Sequence, residues 1–106
     1  MRSLTIVFAV IAGLATSSRA DITVFMTRYD SLKVEITRGK GVCSGGDKRT
    51  TVFSGEMKKG FRQTFTGTGD KGDNLCWRRS EDPKNPKSEL DDMSRRCSHD
   101  GDCEIR

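Results

Sequence analysis

Apolar and polar side chains alternate along two neighbouring stretches, residues 21–29 and residues 32–37. A period of two is typical of a β-strand, because successive side chains point to opposite faces. In the second stretch Leu32, Val34 and Ile36 share one face, and the other face carries charged or hydroxyl side chains. That stretch therefore predicts a strand with one buried face and one wet face. Only a short polar break separates the two stretches, which predicts that they pair as a hairpin.

The same reasoning predicts three more strands, over residues 50–57, 61–66 and 75–80. A Lys-Lys-Gly sequence separates the first two of these and is typical of a hairpin turn. After the third strand, residues 81–86 contain both prolines of the chain in a highly polar setting. Proline lacks the amide N–H that a strand or helix needs, so this segment is predicted to be an extended loop.

Residues 88–97 are the only segment with a helical pattern. Ser88 suits an N-cap, and Leu90, Met93 and Cys97 follow at helical spacing. The chain then ends on a stretch that predicts a brief edge strand. Together the elements indicate a mainly β fold, a small antiparallel meander of five or six strands that forms a barrel or sandwich. One short helical turn is expected near the C-terminus.

The first twenty residues have the composition of a cleavable export signal. Arg2 provides the positive start, residues 4–14 form an apolar run, and small residues lead to a cleavage site after Ala20. The run reaches only about half the thickness of the hydrocarbon core of a bilayer. The sequence predicts a signal peptide at residues 1–20, a single disulfide-stabilised β domain at residues 21–106, and no membrane insertion after cleavage.

Composition favours strands and leaves the predicted domain close to charge neutrality. All alanines, the best helix formers, precede Asp21, whereas threonine and glycine are plentiful after it. The chain has 19 Lys and Arg against 15 Asp and Glu, and Arg2 and Arg19 belong to the predicted signal. The remaining charges of both signs are interleaved, which argues against a nucleic-acid-binding face.

Four cysteines, an even number in a short exported chain, predict two structural disulfides. Cys97 and Cys103 flank a turn-like Asp-Gly pair, which favours joining them and leaves Cys43 with Cys76. The main alternative joins Cys43 to Cys103 and Cys76 to Cys97. None of the cysteines has the close spacing of a zinc site, so no metal site is predicted.

Residues 75–80 contain the most distinctive local sequence, Trp77-Arg78-Arg79, with the only tryptophan of the chain. Tryptophan and arginine are enriched at binding hot spots, so these three residues are the predicted binding site. On a strand, Leu75 and Trp77 share a face. Alternatively these two side chains fill the core and Arg79 only borders it, which the small size of the core favours.

His99 is the only histidine, and Ser98 and Asp100 lie beside it. Neighbours in sequence do not form a catalytic triad, which needs side chains that converge from separate elements. No catalytic residues are therefore predicted, and no motif implies a cofactor. A small secreted hydrolase that uses His99 is kept as the third hypothesis for function.

The first hypothesis is a small non-enzymatic binding protein that is periplasmic or secreted. Its expected partner is another exported protein, a host protein or a component of the cell envelope, and not a nucleic acid. The second hypothesis is an inhibitor of a secreted hydrolase such as a lysozyme or a protease, because a rigid loop can enter an active-site cleft.

Overall fold

The computed structural model describes residues 21–44, 48–66, 73–97 and 101–106. It confirms a mainly β fold, and none of the described residues is helical. No helix in these ranges is therefore long and apolar enough to cross a membrane. The predicted signal peptide and His99 lie outside the described residues. The strands are β1 (Ile22–Met26), β2 (Ser31–Gly39), β3 (Arg49–Lys58), β4 (Phe61–Phe65), β5 (Asn74–Arg79), β6 (Arg95–Arg96) and β7 (Gly101–Glu104).

The strands form two sheets, one in the order β4-β1-β7 and the other in the order β3-β2-β5-β6. One long, bent hairpin supplies the first two strands of both sheets. Its outer half pairs β2 with β3, from Ser31 opposite Lys58 to Gly39 opposite Arg49. Its inner half pairs β1 with β4 in the same antiparallel sense. β1 and β2 form one arm of this hairpin, and β3 and β4 form the other. Each arm therefore runs from one sheet into the other.

The bend lies where β1 gives way to β2 and β3 gives way to β4. The Lys59 N–H donates to the Asp30 carbonyl oxygen at 3.1 Å, and the Gly60 N–H donates to that of Met26 at 2.8 Å. Gly60 has a φ of 94°, in the left-handed region that favours glycine. The predicted pairing of β1 with β2 and the predicted turn between β3 and β4 are therefore wrong. Both short breaks form a corner that turns the apolar faces of the two sheets toward one core.

The core confirms the predicted alternation of apolar side chains. Leu32, Val34 and Ile36 have no exposed surface, and Ile22, Val24 and Met26 on one face of β1 are at most 1% exposed. The other two strands complete the sheets: β5 lies antiparallel to β2, and β7 lies parallel to β1. The buried cluster consists of Ile22, Val24, Met26, Leu32, Val34, Ile36, Met57, Phe65, Leu75, Trp77, Cys97, Cys103 and Ile105.

Both predicted disulfides form, in the favoured pairing. The bond between Cys43 and Cys76 spans 33 residues of sequence and ties the loop of the bent hairpin to β5. The bond between Cys97 and Cys103 spans 6 residues. Cys97 follows β6 in one sheet, whereas Cys103 lies on β7 in the other sheet. The shorter disulfide therefore joins the edges of the two sheets.

The helical turn predicted over residues 88–97 is not present. Leu90 forms an isolated bridge with Ser80, and the Cys97 N–H donates to the Leu75 carbonyl oxygen at 3.0 Å. Between these points β6 adds to the edge of β5. A helix of this length is marginal in water, and the open edge of β5 provides partners for the same backbone groups. Sheet pairing therefore replaces the local helical pattern.

Candidate binding groove

Trp77 belongs to the core more than to the surface. It lies on β5 with 4% of its surface exposed, and Leu75 on the same face is fully buried. This is the alternative orientation, in which the two side chains fill the core. The opposite face of β5 is covered as well, because Cys76 is fully buried at its disulfide with Cys43. Only an edge of the indole is left to contact a partner.

Arg78 points to the outer face of the sheet and is bound there. Its Nε donates to Oε1 of Glu35 at 2.6 Å, and the two residues are directly opposite each other on β5 and β2. The side chains are 35% and 21% exposed. A cross-strand ion pair of this kind stabilises the pairing of the two strands. Arg78 therefore has a structural partner already.

Arg79 holds a neighbouring segment in place. Its Nε donates to the Arg106 carbonyl oxygen at 2.9 Å, and its Nη1 donates to that of Ser80 at 2.6 Å. Its guanidinium carbon also lies 6.0 Å from the centre of the Tyr29 ring. These contacts make Arg79 a positioning residue for the end of the chain. The three predicted site residues thus have three different environments.

A groove of about 570 Å³ lies between the edges of the two sheets, and Trp77 is part of its wall. We call it the arginine groove. The short disulfide forms part of it, with Cys97 and Cys103 only 4% and 8% exposed. Its lining residues are Trp77, Arg95, Arg96, Cys97, Asp102, Cys103, Glu104 and Arg106.

Arg95 is oriented by two contacts. Its guanidinium lies 4.9 Å from the centre of the Trp77 ring, within the range of a cation–π interaction. Its Nη1 lies 2.7 Å from Oδ2 of Asp91, four residues earlier. The plane of the guanidinium is therefore set before any ligand arrives. The buried indole has a second role here, because it positions an arginine that lines the groove.

The other charged side chains of the groove make fewer hydrogen bonds and ion pairs than Arg95. The guanidinium groups of Arg96 and Arg106 have no hydrogen-bond or ion-pair partner among the residues described. Asp102 has a distant partner in Arg62, at 3.9 Å with both side chains 62% exposed, and such a pair contributes little. Glu104 also lines the groove. The groove therefore offers charged groups of both signs to a ligand.

The walls of the groove include strand edges. Within the described part of the chain, β6 pairs only with β5 and β7 pairs only with β1. The far side of each strand carries backbone N–H and C=O groups that its neighbour does not use. The disulfide between Cys97 and Cys103 fixes one edge relative to the other. The result is a polar groove flanked by two strand edges and fixed by a covalent link.

A second cavity, of about 670 Å³, lies at the loop of the bent hairpin, next to a network of structural hydrogen bonds. Arg49 donates to Oγ1 of Thr37 at 2.9 Å and to Oδ1 of Asn74 at 2.6 Å. The amide of Asn74, which is 2% exposed, donates in turn to the Gly41 carbonyl oxygen at 2.9 Å. This network holds the loop against β5. Arg38, on the rim, lies 3.4 Å from Asp73.

No group of three or more His, Cys, Asp or Glu side chains within the described ranges is arranged to hold a metal ion. Comparison of the chain with family models, curated proteins and solved structures gives no match.

Sequence reasoning did not include Arg95, Arg96 and Arg106 in the candidate site. The first two belong to the segment that is predicted as a helical turn. One feature of the sequence could have identified Arg106. Cys103 and Ile105 alternate as buried positions, so Glu104 and Arg106 point outward. Alternation alone does not indicate which edge these outward side chains face. The pairing of β6 with β5 and of β7 with β1 decides that.

Proposed function

We propose that this protein is an exported, non-enzymatic binding module that holds an extended segment of another protein in the arginine groove. The periplasm or the extracellular space is its place of action. Its partner is another exported protein, a host protein or a protein component of the cell envelope. The observation that carries the proposal is a polar groove between two strand edges that no other described strand pairs with, and its walls contain Trp77 and two arginines without a described partner.

Strand edges recognise extended peptides through main-chain hydrogen bonds, and side-chain pockets then add specificity. Here the guanidinium groups of Arg96 and Arg106 would receive carboxylates, which arginine binds with two parallel hydrogen bonds. Glu104 would receive a cation. A peptide that carries both charges in the matching order is therefore preferred over a uniformly acidic one.

Rigidity supports the proposal. The disulfide between Cys97 and Cys103 and the contact of Arg95 with Trp77 form without a ligand, so binding does not have to order them. Preorganisation of this kind reduces the entropy that association loses. The two disulfides also support export, because such bonds persist in oxidising compartments and are rare in the cytosol.

The proposal is tested by crosslinking capture from the exported fraction with the intact protein, followed by titration of the captured partner. Trp77 is the only tryptophan, so its fluorescence reports on the groove directly. We expect the partner to change the emission of Trp77. Arg96→Glu should weaken binding at least about tenfold, because a charge-assisted hydrogen bond contributes roughly 1.5 to 3 kcal/mol.

Lys40→Glu is the matched control, since Lys40 is exposed and lines the other cavity, at the loop of the bent hairpin. Its affinity should stay within about twofold of the wild type, as is usual for an exposed charge away from the contact. Equal losses in the two variants, or binding that leaves Trp77 emission unchanged, would overturn the proposal. A captured hydrolase is assayed for inhibition with the same pair of variants.

A further inference from the structure

The polar loop after β5 contains the same three-residue turn twice. Asp82-Pro83-Lys84 is followed directly by Asn85-Pro86-Lys87. In the first turn Oδ1 of Asp82 accepts the Lys84 N–H at 3.0 Å, and in the second Oδ1 of Asn85 accepts the Lys87 N–H at 3.1 Å. Each turn combines a side-chain acceptor with a proline, the chemistry of an Asx-turn. We call residues 81–89 the tandem-turn loop.

The tandem-turn loop is closed by its own hydrogen bonds. The Glu81 N–H donates to the Glu89 carbonyl oxygen at 2.7 Å, which joins the two ends of the loop. Two further backbone bonds cross it, from Asn85 to the carbonyl of Asp82 and from Ser88 to that of Asn85. The prolines restrict the chain further. The loop therefore has a defined shape before it meets a ligand.

One buried serine pins the loop to the sheet. Ser80 is fully buried, and its Oγ accepts the Lys33 N–H at 3.1 Å. The same hydroxyl lies 3.4 Å from the carbonyl oxygens of Lys33 and Pro86. The fully buried Ser80 hydroxyl thus holds the second turn of the loop, which contains Pro86, against β2.

Two open cavities lie on either side of Pro86. The larger, of about 490 Å³, lies between the loop and the corner of the bent hairpin, and the smaller is about 250 Å³. The larger is lined by Arg28, Tyr29, Asp30, Ser31, Lys59, Pro83, Lys84 and Pro86. The smaller is lined by Lys33, Glu56, Pro86 and Lys87.

Positive charge is concentrated around these cavities, where five cations face two carboxylates. Both carboxylates have partners already. Asp30 lies 3.3 Å from Lys59 with its side chain 97% exposed, and Glu56 accepts a hydrogen bond from the Ser31 hydroxyl. Within residues 21–44, 48–66, 73–97 and 101–106, no ion-pair partner is found for Arg28, Lys33, Lys84 or Lys87. The cavity at the loop of the bent hairpin is basic as well, since Arg38, Lys40 and Lys48 face only Asp73 there.

Among the described residues, this surface has no exposed large hydrophobic side chain that could anchor a protein partner. Val42 is the only large hydrophobic side chain that is exposed among the described residues, and it lines a different cavity beside Cys43. Protein interfaces usually centre on buried apolar or aromatic anchors. What this surface does offer is the half-buried ring of Tyr29 and two proline rings next to cations. Flat C–H faces beside charged groups suit a sugar ring that carries an acidic substituent.

We propose that the tandem-turn loop and the corner of the hairpin form a second binding site, for an acidic polysaccharide. Lys84, Lys87 and Arg28 bind the anionic substituents, and a sugar ring lies against Tyr29 in the larger cavity. The site is separate from the arginine groove, although Arg79 contacts Tyr29 of the one and the Arg106 backbone of the other. Because the lysines are exposed, binding weakens as salt increases.

The test is a titration of the full chain with fluorescent polygalacturonate at low salt, and with neutral dextran as the uncharged reference. The double variant Lys84→Gln with Lys87→Gln should bind about fivefold more weakly, since an exposed ion pair contributes roughly 0.2 to 1 kcal/mol. The double variant Lys40→Gln with Lys48→Gln removes two equally exposed lysines from the cavity at the hairpin loop. It should stay within about twofold of the wild type.

Two competitors decide the class of ligand. Polyglutamate and single-stranded DNA carry the same sign of charge without the sugar acid, and we expect them to displace polygalacturonate poorly. Equal binding of either polymer would overturn the assignment to a polysaccharide. Equal weakening in both lysine pairs, or none in the loop pair, would overturn the site itself. Arg96→Glu should leave this titration unchanged, which separates the second site from the first.

Discussion

The arginine groove and the tandem-turn loop are two polar regions held in place by different forces. The groove depends on the core: its wall includes the nearly buried Trp77, and the disulfide between Cys97 and Cys103 fixes its edges. The loop contains no cysteine and is shaped by its own hydrogen bonds, with Ser80 as its buried attachment. Both regions adjoin β5. Trp77 lies on this strand, and the loop follows its end.

The two regions differ in how much a substitution in them is expected to change the stability of the fold. A change at Trp77 or at the disulfide between Cys97 and Cys103 disturbs the core of the whole fold, because these side chains belong to both the groove and the core. A change in the loop disturbs bonds that water can replace. The groove should therefore be hard to alter without loss of stability, and the loop should be easy to alter. Four predictions test this contrast, and they follow in order of expected effect.

Trp77→Ala should lower the free energy of unfolding by about 3 to 5 kcal/mol, because it leaves a large cavity in a thin core. It should also release Arg95, which would lose its aromatic contact. Urea unfolding followed by circular dichroism measures the change. Trp77→Phe, which keeps an aromatic ring, is the control and should cost less. A loss below about 1 kcal/mol would show that the groove is not built from the core.

Replacing Cys43 and Cys76 by serine should cost about 3 to 4 kcal/mol, whereas replacing Cys97 and Cys103 should cost about 2 kcal/mol. The reason is loop-closure entropy in the unfolded chain, since the bonds span 33 and 6 residues. Thermal unfolding of the two double variants measures the difference. If the shorter bond costs as much as the longer, its link between the two sheets contributes beyond chain entropy.

Ser80→Ala should destabilise the protein by about 1 to 3 kcal/mol, because it leaves the buried Lys33 N–H without an acceptor. Hydrogen exchange at that amide should accelerate more than exchange in β1. Ser54→Ala, on the exposed face of β3, is the matched control with a change within about 0.5 kcal/mol. Similar losses in the two variants would contradict the attachment of the loop through Ser80.

Asn85→Ala should cost only about 0.5 kcal/mol, because the bond from the Lys87 N–H is exposed and water replaces it. NMR shifts should change within residues 81–89 and remain constant around Trp77. Asp92→Ala, at an exposed position outside the loop, should change neither. A loss above about 2 kcal/mol would show that the tandem-turn loop is part of the cooperative core.

The candidate site was only partly predictable. Trp77 and Arg79 do lie at or beside the arginine groove, and Arg79 holds the backbone of Arg106. Arg78 was indistinguishable from Arg79 in sequence, yet it is bound to Glu35 on the outer face. The basic surface of the tandem-turn loop was not identified, since its cations come from four separate segments. Side chains that are distant in sequence become neighbours only after the strands have paired.

Alternation along the chain predicts which faces are buried, and the cysteine spacing favours one disulfide pairing over its main alternative. Alternation identified Leu32, Val34 and Ile36 as core residues, since a period of two decides the side of a strand regardless of its neighbours. Both favoured disulfides are present, and the turn-like Asp-Gly pair between Cys97 and Cys103 is the sequence signal for this pairing.

The pairing of the strands could not be predicted from the sequence and is known only from the fold. The short break between β1 and β2 suits a hairpin turn and a corner equally well, and burial of two apolar faces against each other selects the corner. The segment before Cys97 has a helical pattern, but the open edge of β5 satisfies its backbone groups. Pairing is a property of two distant segments at once, so no local pattern contains it.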